Sequence, residues 1–242
     1  VVAPHFDFVC TTAKSALPKY EKLGISNKVI KSQWACNYEL YVPYDIEKDL
    51  NISFVGQPHG NRVEVLSKLI ESGLKLEVFG FGWENRPRIS FHQMIRVFSR
   101  SKINLNLSNS STSIGQQIKG RNFEIPGTKS FQLTSITENL EEYYENGDEI
   151  VIFDTVEELL DKAKYYLNND HERMKIAEYG YKRTLAEHTW HHRFDKIFNH
   201  VNSGQRYSSK LKEEAHQLTP ENIENAKPLV SVIIPCYNQA QF

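Results

Sequence analysis

The sequence predicts an α/β fold built on a mostly parallel, doubly wound sheet with helices on both faces. The first observation behind this is order. From Ile52 onward, short runs rich in β-branched and aromatic residues (ISFVG, LKLEVFG, KINLNLS, SFQLTS, EIVIF) alternate with segments of about ten residues, the pattern of repeated strand–helix crossovers. The second is periodicity. Val63, Leu66, Leu69 and Ile70 form one apolar stripe at helical spacing, and Leu159, Leu160, Ala163 and Leu167 form another. The third is composition: 242 residues, 40% hydrophobic and 24% charged, can bury a core, as a disordered or fibrous chain cannot.

In order along the chain, residues 1–50 read as a strand at 6–11, a helix at 14–22 closed by Gly24, a strand at 28–32 and the polar connector NYELYVPYDIEKDLN. One βαβ unit is too small to bury its own sheet, so this stretch is expected to be the end of a preceding domain. Residues 51–202 carry the regular alternation. It runs through strand ISFVG, helix 63–72, strand LKLEVFG, loop GFGWENRPR, helix 91–100, strand KINLNLS and a long polar loop. Helix-like GRNFEIPG, strand SFQLTS, helix NLEEYYENG, strand EIVIF and helices at 156–167 and 171–187 follow. Thr155, after Asp154, suits the N-cap of the first of these last two helices. The whole is a Rossmann-like arrangement. Residues 203–228 are charged and poor in apolar anchors, a linker, and 229–242 begin a further strand, PLVSVIIPCYNQAQF. A start at Val1 without Met and an end inside an apolar run lead us to expect a fragment of a longer, multidomain protein.

A net charge of -1 offers no basic field for nucleic acid or anionic lipid. Cys10, Cys36 and Cys236 are odd in number and lack CxxC spacing, which predicts neither a disulfide framework nor a zinc site and fits a reducing cytoplasm. No apolar run approaches the roughly 20 residues of a membrane span, so no integral membrane segment is expected; attachment at the inner face of a membrane stays open.

Ligands of open parallel sheets bind where strands lead into helix N-termini. In VGQPHGNR, Gly56 permits close backbone approach and Arg62 stands at a helix start, although a turn with a surface arginine is the commoner reading. In GFGW, Gly80 and Gly82 admit a ligand beside the backbone, with Phe81 or Trp83 against a base or sugar; the segment does not match GxGxxG. The third loop follows a strand ending in Asn106 and Ser108 and leads through SNSSTSIGQQ into KGRNFEIPGTKSFQLT. Lys119 and Arg121, two residues apart, suit a departing diphosphate without a metal, and Glu124 one turn on suits both hydroxyls of a ribose. Solvated charges on a surface helix are the bland alternative. His188 and His192 have i, i+4 spacing but lack the glutamate of HExxH, so a closing helix is the better reading. Glu141, Glu142, Glu157 and Glu158 sit as adjacent acids that point apart on a helix, which argues against a glycosidase dyad.

Taken together, FDFVCTT, KYEKLG, ISFVGQPHGNR, LKLEVFGFGW, SKINLNLS, KGRNFEIPGTKSFQLTS, ENGDEIVIF and ERMKIAEYGYKRTLAEHTWHHRF resemble the C-terminal domain of two-domain B-fold (GT-B) glycosyltransferases, in particular the family 1 or CgeB-like group. The resemblance implies a transferase acting on a nucleotide diphosphate-sugar donor and a glycan or other acceptor, hexosyltransferase-like and inactive as a fragment. It implies the diphosphate on Lys119 and Arg121, the ribose on Glu124, and a donor site completed by Arg62, Gly56, Gly80, Gly82, Asn106, Ser108 and Gly127. No cofactor or metal is implied for this domain. Two positions depart from the family pattern: Lys129 or Ser130 stands where a glycine is expected, and Gln116 where many members carry an acid. They motivate an alternative, a non-catalytic nucleotide-sugar-binding module. The terminal PLVSVIIPCYNQAQF resembles the first strand of an A-fold, family 2 glycosyltransferase, with Pro235, Tyr237 and Asn238 matching; a divalent metal would belong to that domain alone.

Overall fold

The computed structural model describes residues 3–84, 88–109 and 116–203. The linker and A-fold strand expected beyond residue 203 lie outside the described residues. The described residues divide into two compact units, one of residues 3–32 and 194–203, the other within Gln33–Arg193. Within the smaller, β1 (Val9–Thr11) pairs in parallel with β2 (Val29–Lys31), with α1 (Leu17–Lys22) between them in sequence.

The larger unit holds five strands: β3 (Leu50–Val55), β4 (Leu76–Phe79), β5 (Ser101–Asn106), β6 (Gln132–Ser135) and β7 (Val151–Phe153). All neighbours are parallel, in the order β4-β3-β5-β6-β7. The chain moves outward from β3 in one direction to β4 and in the other to β5. That reversal is a topological switch point, and it opens a crevice at the carboxyl ends of β3 and β5. The helices of the larger unit are α2 (Arg62–Glu71), α3 (Phe91–Arg100), α4 (Arg121–Gly127), α5 (Val156–Asn168) and α6 (Asp170–Glu187), and that unit ends in the first turn of α7 (Trp190–Ser203), the rest of which belongs to the smaller unit. The α/β, doubly wound expectation therefore stands.

Alternation along the strands gives the sheet two unlike faces. Ile52, Phe54, Ile103, Leu105 and Leu133 pack with Leu66 and Leu69 of α2, Leu159 and Ala163 of α5 and Ile176 of α6. The opposite face is buried but polar. There Ser53 Oγ donates to Asn104 Oδ1 (3.2 Å), Asn104 Nδ2 to the Phe98 carbonyl (3.1 Å) and Asn106 Nδ2 to Thr134 Oγ1 (3.1 Å), so burial is offset by hydrogen bonding.

Three local expectations change. The buried stripe of α2 is Arg62, Val65, Leu66 and Leu69, while Val63 and Ile70 are 51% and 57% exposed. The stripe begins one residue early, on a cation that apolar periodicity does not count. NLEEYYENG forms only a 3-10 turn, Leu140–Glu142, entered through Asn139 at φ 63°. Its tyrosines turn inward instead: Tyr144 is 1% exposed and its hydroxyl lies 2.7 Å from Thr184 Oγ1. Finally, EHTWHHRF is not one continuous helix. α6 and α7 are separated at His188–Thr189, where Cys36 donates its N–H to the His188 carbonyl (2.9 Å) and accepts from Trp190 (3.1 Å). The Thr155 cap is as expected, accepting from the Glu158 N–H.

Candidate functional site at the carboxyl edge of the sheet

Arg62 turns inward from the first residue of α2. Its guanidinium lies 5.5 Å from the Phe54 ring centre and donates to the carbonyls of Gln57 (2.9 Å), Leu107 (2.7 Å) and Asn109 (3.3 Å). It thus ties the β3–α2 loop to the chain leaving β5. Burial, then the nearby Arg121, pushes its pKa down to about 10. The predicted glycines pack these loops together. Gly80 has φ +124°, and a Cβ there would stand 2.4 Å from the Gly56 carbonyl oxygen, which also accepts from Trp83 Nε1 (2.7 Å). Gly56 faces the Phe54 ring and Arg62, and Gly82 faces Pro58. Trp83 is spent on packing, edge-on to Phe54, whereas Phe81 is 63% exposed.

The segment entering α4 is organised by Asn122, which is fully buried. Its Oδ1 accepts the Lys119 N–H (2.9 Å) and its Nδ2 reaches Thr134 Oγ1 (3.4 Å). Arg121 and Glu124 then form an ion pair on one side of the helix, with the Arg121 guanidinium 5.6 Å from the Phe98 ring centre. The Tyr41 side chain lies within electrostatic reach of both members of the pair; burial, then Glu124, raises its pKa beyond the ordinary tyrosine range. Burial opposes the Arg121 charge, but Glu124 and Tyr41 more than offset it and hold the guanidinium firmly protonated. Lys119 and His59 are both shifted downward, first by burial and then by Arg62. Cations therefore crowd this edge: Arg62 repels both Lys119 and Arg121, and Glu124 is already committed to Arg121.

Asn106 faces Thr134 across the sheet, and the Ser108 N–H donates to Ser135 Oγ (2.9 Å). Gly127 lies at the far end of α4, where a Cβ would stand 2.3 Å from Cys36 Sγ. It lets α4 rest on the connector and does not face the crevice loops. Of the predicted set, the structure groups Arg62, Lys119, Arg121, Glu124 and Ser108 at one edge and gives Gly56, Gly80, Gly82, Asn106 and Gly127 packing positions. Among the described residues, six buried side-chain atoms lack a hydrogen-bond partner, and four of them, Arg62 Nε, Ser108 Oγ, Arg121 Nε and Thr137 Oγ1, lie in segments at this edge. Buried polar atoms are rarely left unpaired unless water or a ligand completes them.

Behind α4, His188 packs 5.6 Å from the Phe123 ring, its Nε2 2.6 Å from the Tyr143 carbonyl and its Nδ1 3.3 Å from an Arg193 nitrogen. Nδ1 thus accepts from Arg193 and Nε2 donates. Burial pushes the imidazole down to about 4, so it is a neutral buttress. Among the described residues no group of three or more His, Cys, Asp or Glu side chains is placed to hold a metal. Tyr41 and Asn122 are the residues of this region that sequence reasoning missed, whereas His188, read from the sequence as structural and not as a metal ligand, is buried and neutral. Only Asn122, next to the cation pair, carried a local signal.

A crevice lined by cations and a carboxylate thus opens at the topological switch point of a Rossmann-like domain, and the chain belongs to the glycosyl transferase-like family, whose model matches residues 62–199. It is 22% identical over 210 residues to the spore protein CgeB of Bacillus subtilis, covering 76% of this chain and 64% of that protein. Among solved structures it is similar to HepE of Anabaena (TM-score 0.67, 9% identity, 83% of this chain and 64% of that one). It is similar also to TarM of S. aureus (TM-score 0.62, 12% identity, 84% of this chain and 45% of that one). These neighbours share the GT-B glycosyltransferase fold. The chain spans less than two thirds of the length of each. No helix among the described residues is long and apolar enough to cross a membrane.

Proposed function

We propose that the carboxyl edge of the sheet binds the nucleoside diphosphate of a sugar-nucleotide donor, and that the longer protein containing this chain transfers the sugar to a glycan or other acceptor. In this reading Lys119 and Arg121 hold the diphosphate, and Glu124 accepts the ribose hydroxyls. Arg62 contributes charge through its field, its two terminal nitrogens being held by carbonyls while its Nε is unpaired. The observation that carries the reading is the coincidence, at one edge, of three cations, Arg62 repelling each of the other two, with unpaired buried polar atoms. A dianionic ligand relieves both. The relatives lend support: HepE has been crystallised with UDP and glucose, and TarM with UDP.

Catalysis then consists of stabilising negative charge on the departing diphosphate by cations fixed in advance in a partly desolvated site, without a metal. Glu124 serves twice, orienting Arg121 before binding and accepting ribose afterwards. Acceptor-side groups belong to other parts of the longer protein. The alternative, a non-catalytic module, draws on Gln116 and Lys129; in that case nucleotide binds but is not turned over.

Calorimetric titration of the chain with UDP and with GDP tests the site. We expect one of them to bind, and Arg121→Ala and Glu124→Ala each to weaken binding. Absence of binding by either nucleotide, or binding indifferent to both substitutions, contradicts the assignment. Transfer or hydrolysis of the matching sugar nucleotide by the longer protein separates the enzyme from the module.

A further inference from the structure

A second charged site lies at the opposite, amino edge of the same sheet. The connector at 43–48, the starts of β5 and β6 and the first half of α6 enclose a cavity of about 560 Å³, within the size range of small-molecule sites. β5 spans six residues, which places this edge roughly 20 Å from the carboxyl edge. The lining carries Lys48, Lys102, Lys129 and Arg173 against two carboxylates, Asp45 and Glu178.

Those carboxylates do not neutralise the cations. Glu178 is shared between Lys129 (2.5 Å) and Lys182 (3.3 Å). Arg173, 3% exposed, is committed to Asp170 (2.7 Å) and to the Tyr166 carbonyl (2.5 Å). Among the described residues neither Lys48 nor Lys102 takes part in an ion pair within 4.0 Å, although the Asp170 carboxylate feels Lys102. Lys48 donates to the carbonyls of Ser99 (2.8 Å) and Ser101 (3.2 Å). Burial, then Arg173, pushes its ammonium down to about 8. Lys129 adds a further observation. It holds φ +56°, a left-handed conformation that costs a residue with a side chain about 1 kcal/mol and that glycine enters freely. The chain thus puts a cation at the mouth of the cavity where a glycine would be easier to accommodate.

We infer that this cavity binds a small, soluble phosphate-bearing anion at a site separate from the nucleotide crevice. Four cations lining one cavity against two carboxylates, with Lys48 and Lys102 outside any ion pair among the described residues and Lys129 held by a carboxylate it shares with Lys182, suit a phosphate dianion, and Pro43, Met174 and Ala177 supply apolar wall for the organic part of a phosphate ester. The inference stands whether or not the nucleotide reading holds. Its residues lie in the connector at 43–48, at the amino ends of β5 and β6 and in α6, whereas the nucleotide residues follow β3 and β5 and begin α4.

The test is titration of the full chain with inorganic phosphate and with glycerol 3-phosphate, read by backbone amide NMR. We expect saturable shifts at Lys102 and at 128–131 that persist in Arg121→Ala. Lys102→Ala and Lys129→Gly should each weaken them by roughly fivefold or more. Lys129→Gly is the controlling variant, because it removes the cation while relieving the backbone, and its thermal midpoint should not fall. Shifts confined to 118–124, shifts at 128–131 indifferent to both lysine variants, or binding to phosphatidylglycerol vesicles with none to soluble phosphate would each overturn the inference.

Discussion

Arg62 and Arg121 stand at the same edge of one sheet, each stacked on a phenylalanine, yet their surroundings differ in kind. Three carbonyls from two loops hold both terminal nitrogens of Arg62 and leave only its Nε without a partner. Arg121 faces a single carboxylate and a tyrosine hydroxyl, and both its side chain and that of Glu124 retain solvent access, 26% and 17%. An arginine bound to backbone builds a loop; one bound to an exchangeable carboxylate can transfer to a ligand. In the proposed site the β3–α2 loop is therefore assigned to the scaffold, and the α4 segment to the ligand. Charge alone does not separate them, because both contribute positive field.

The largest effect that would sharpen this contrast is on stability. Arg62→Met should destabilise the domain by about 3 kcal/mol in urea unfolding, since it leaves buried carbonyls without donors. Next comes acid. The folded pKa of His188, about 4, lies below the unfolded value near 6.5, so the unfolded chain binds the extra proton between them. Stability is fully present above about pH 6.5 and falls by about 3 kcal/mol as pH drops through 4. Because His188 supports α4, hydrogen exchange should loosen 121–127 before 56–62. Arg121→Ala should cost only about 1 kcal/mol of stability but weaken nucleoside diphosphate binding by tenfold to hundredfold, roughly. Lys119→Ala is the mildest, with a loss of roughly fivefold that shrinks as salt is raised. If Arg62→Met instead left stability intact and abolished binding, the division between scaffold and ligand-binding part would be broken.

Much of the fold was legible because it rests on local patterns. The alternating strands, the Thr155 cap and α3 follow from periodicity and side-chain chemistry within a few residues. The α2 stripe was misplaced because Arg62 occupies an apolar helix position and is paid for by carbonyls beyond β5, which no window around α2 contains. NLEEYYENG has helical composition, yet Tyr143 and Tyr144 are drawn toward His188 by packing distant in sequence. At the site, the cation pair and Glu124 stood together in one segment and could be read. Tyr41 could not, because only the folded connector brings its hydroxyl to Glu124.

The comparison of the nucleoside with its diphosphate measures the central claim most directly. The calorimetric affinities of uridine and UDP, or of guanosine and GDP, give a difference that belongs to the diphosphate. In the unaltered chain that difference should exceed tenfold, roughly, and in the Lys119→Ala, Arg121→Ala double variant it should largely vanish while the affinity of the nucleoside is unchanged. A diphosphate advantage that survives the double substitution would contradict the assignment of the α4 segment.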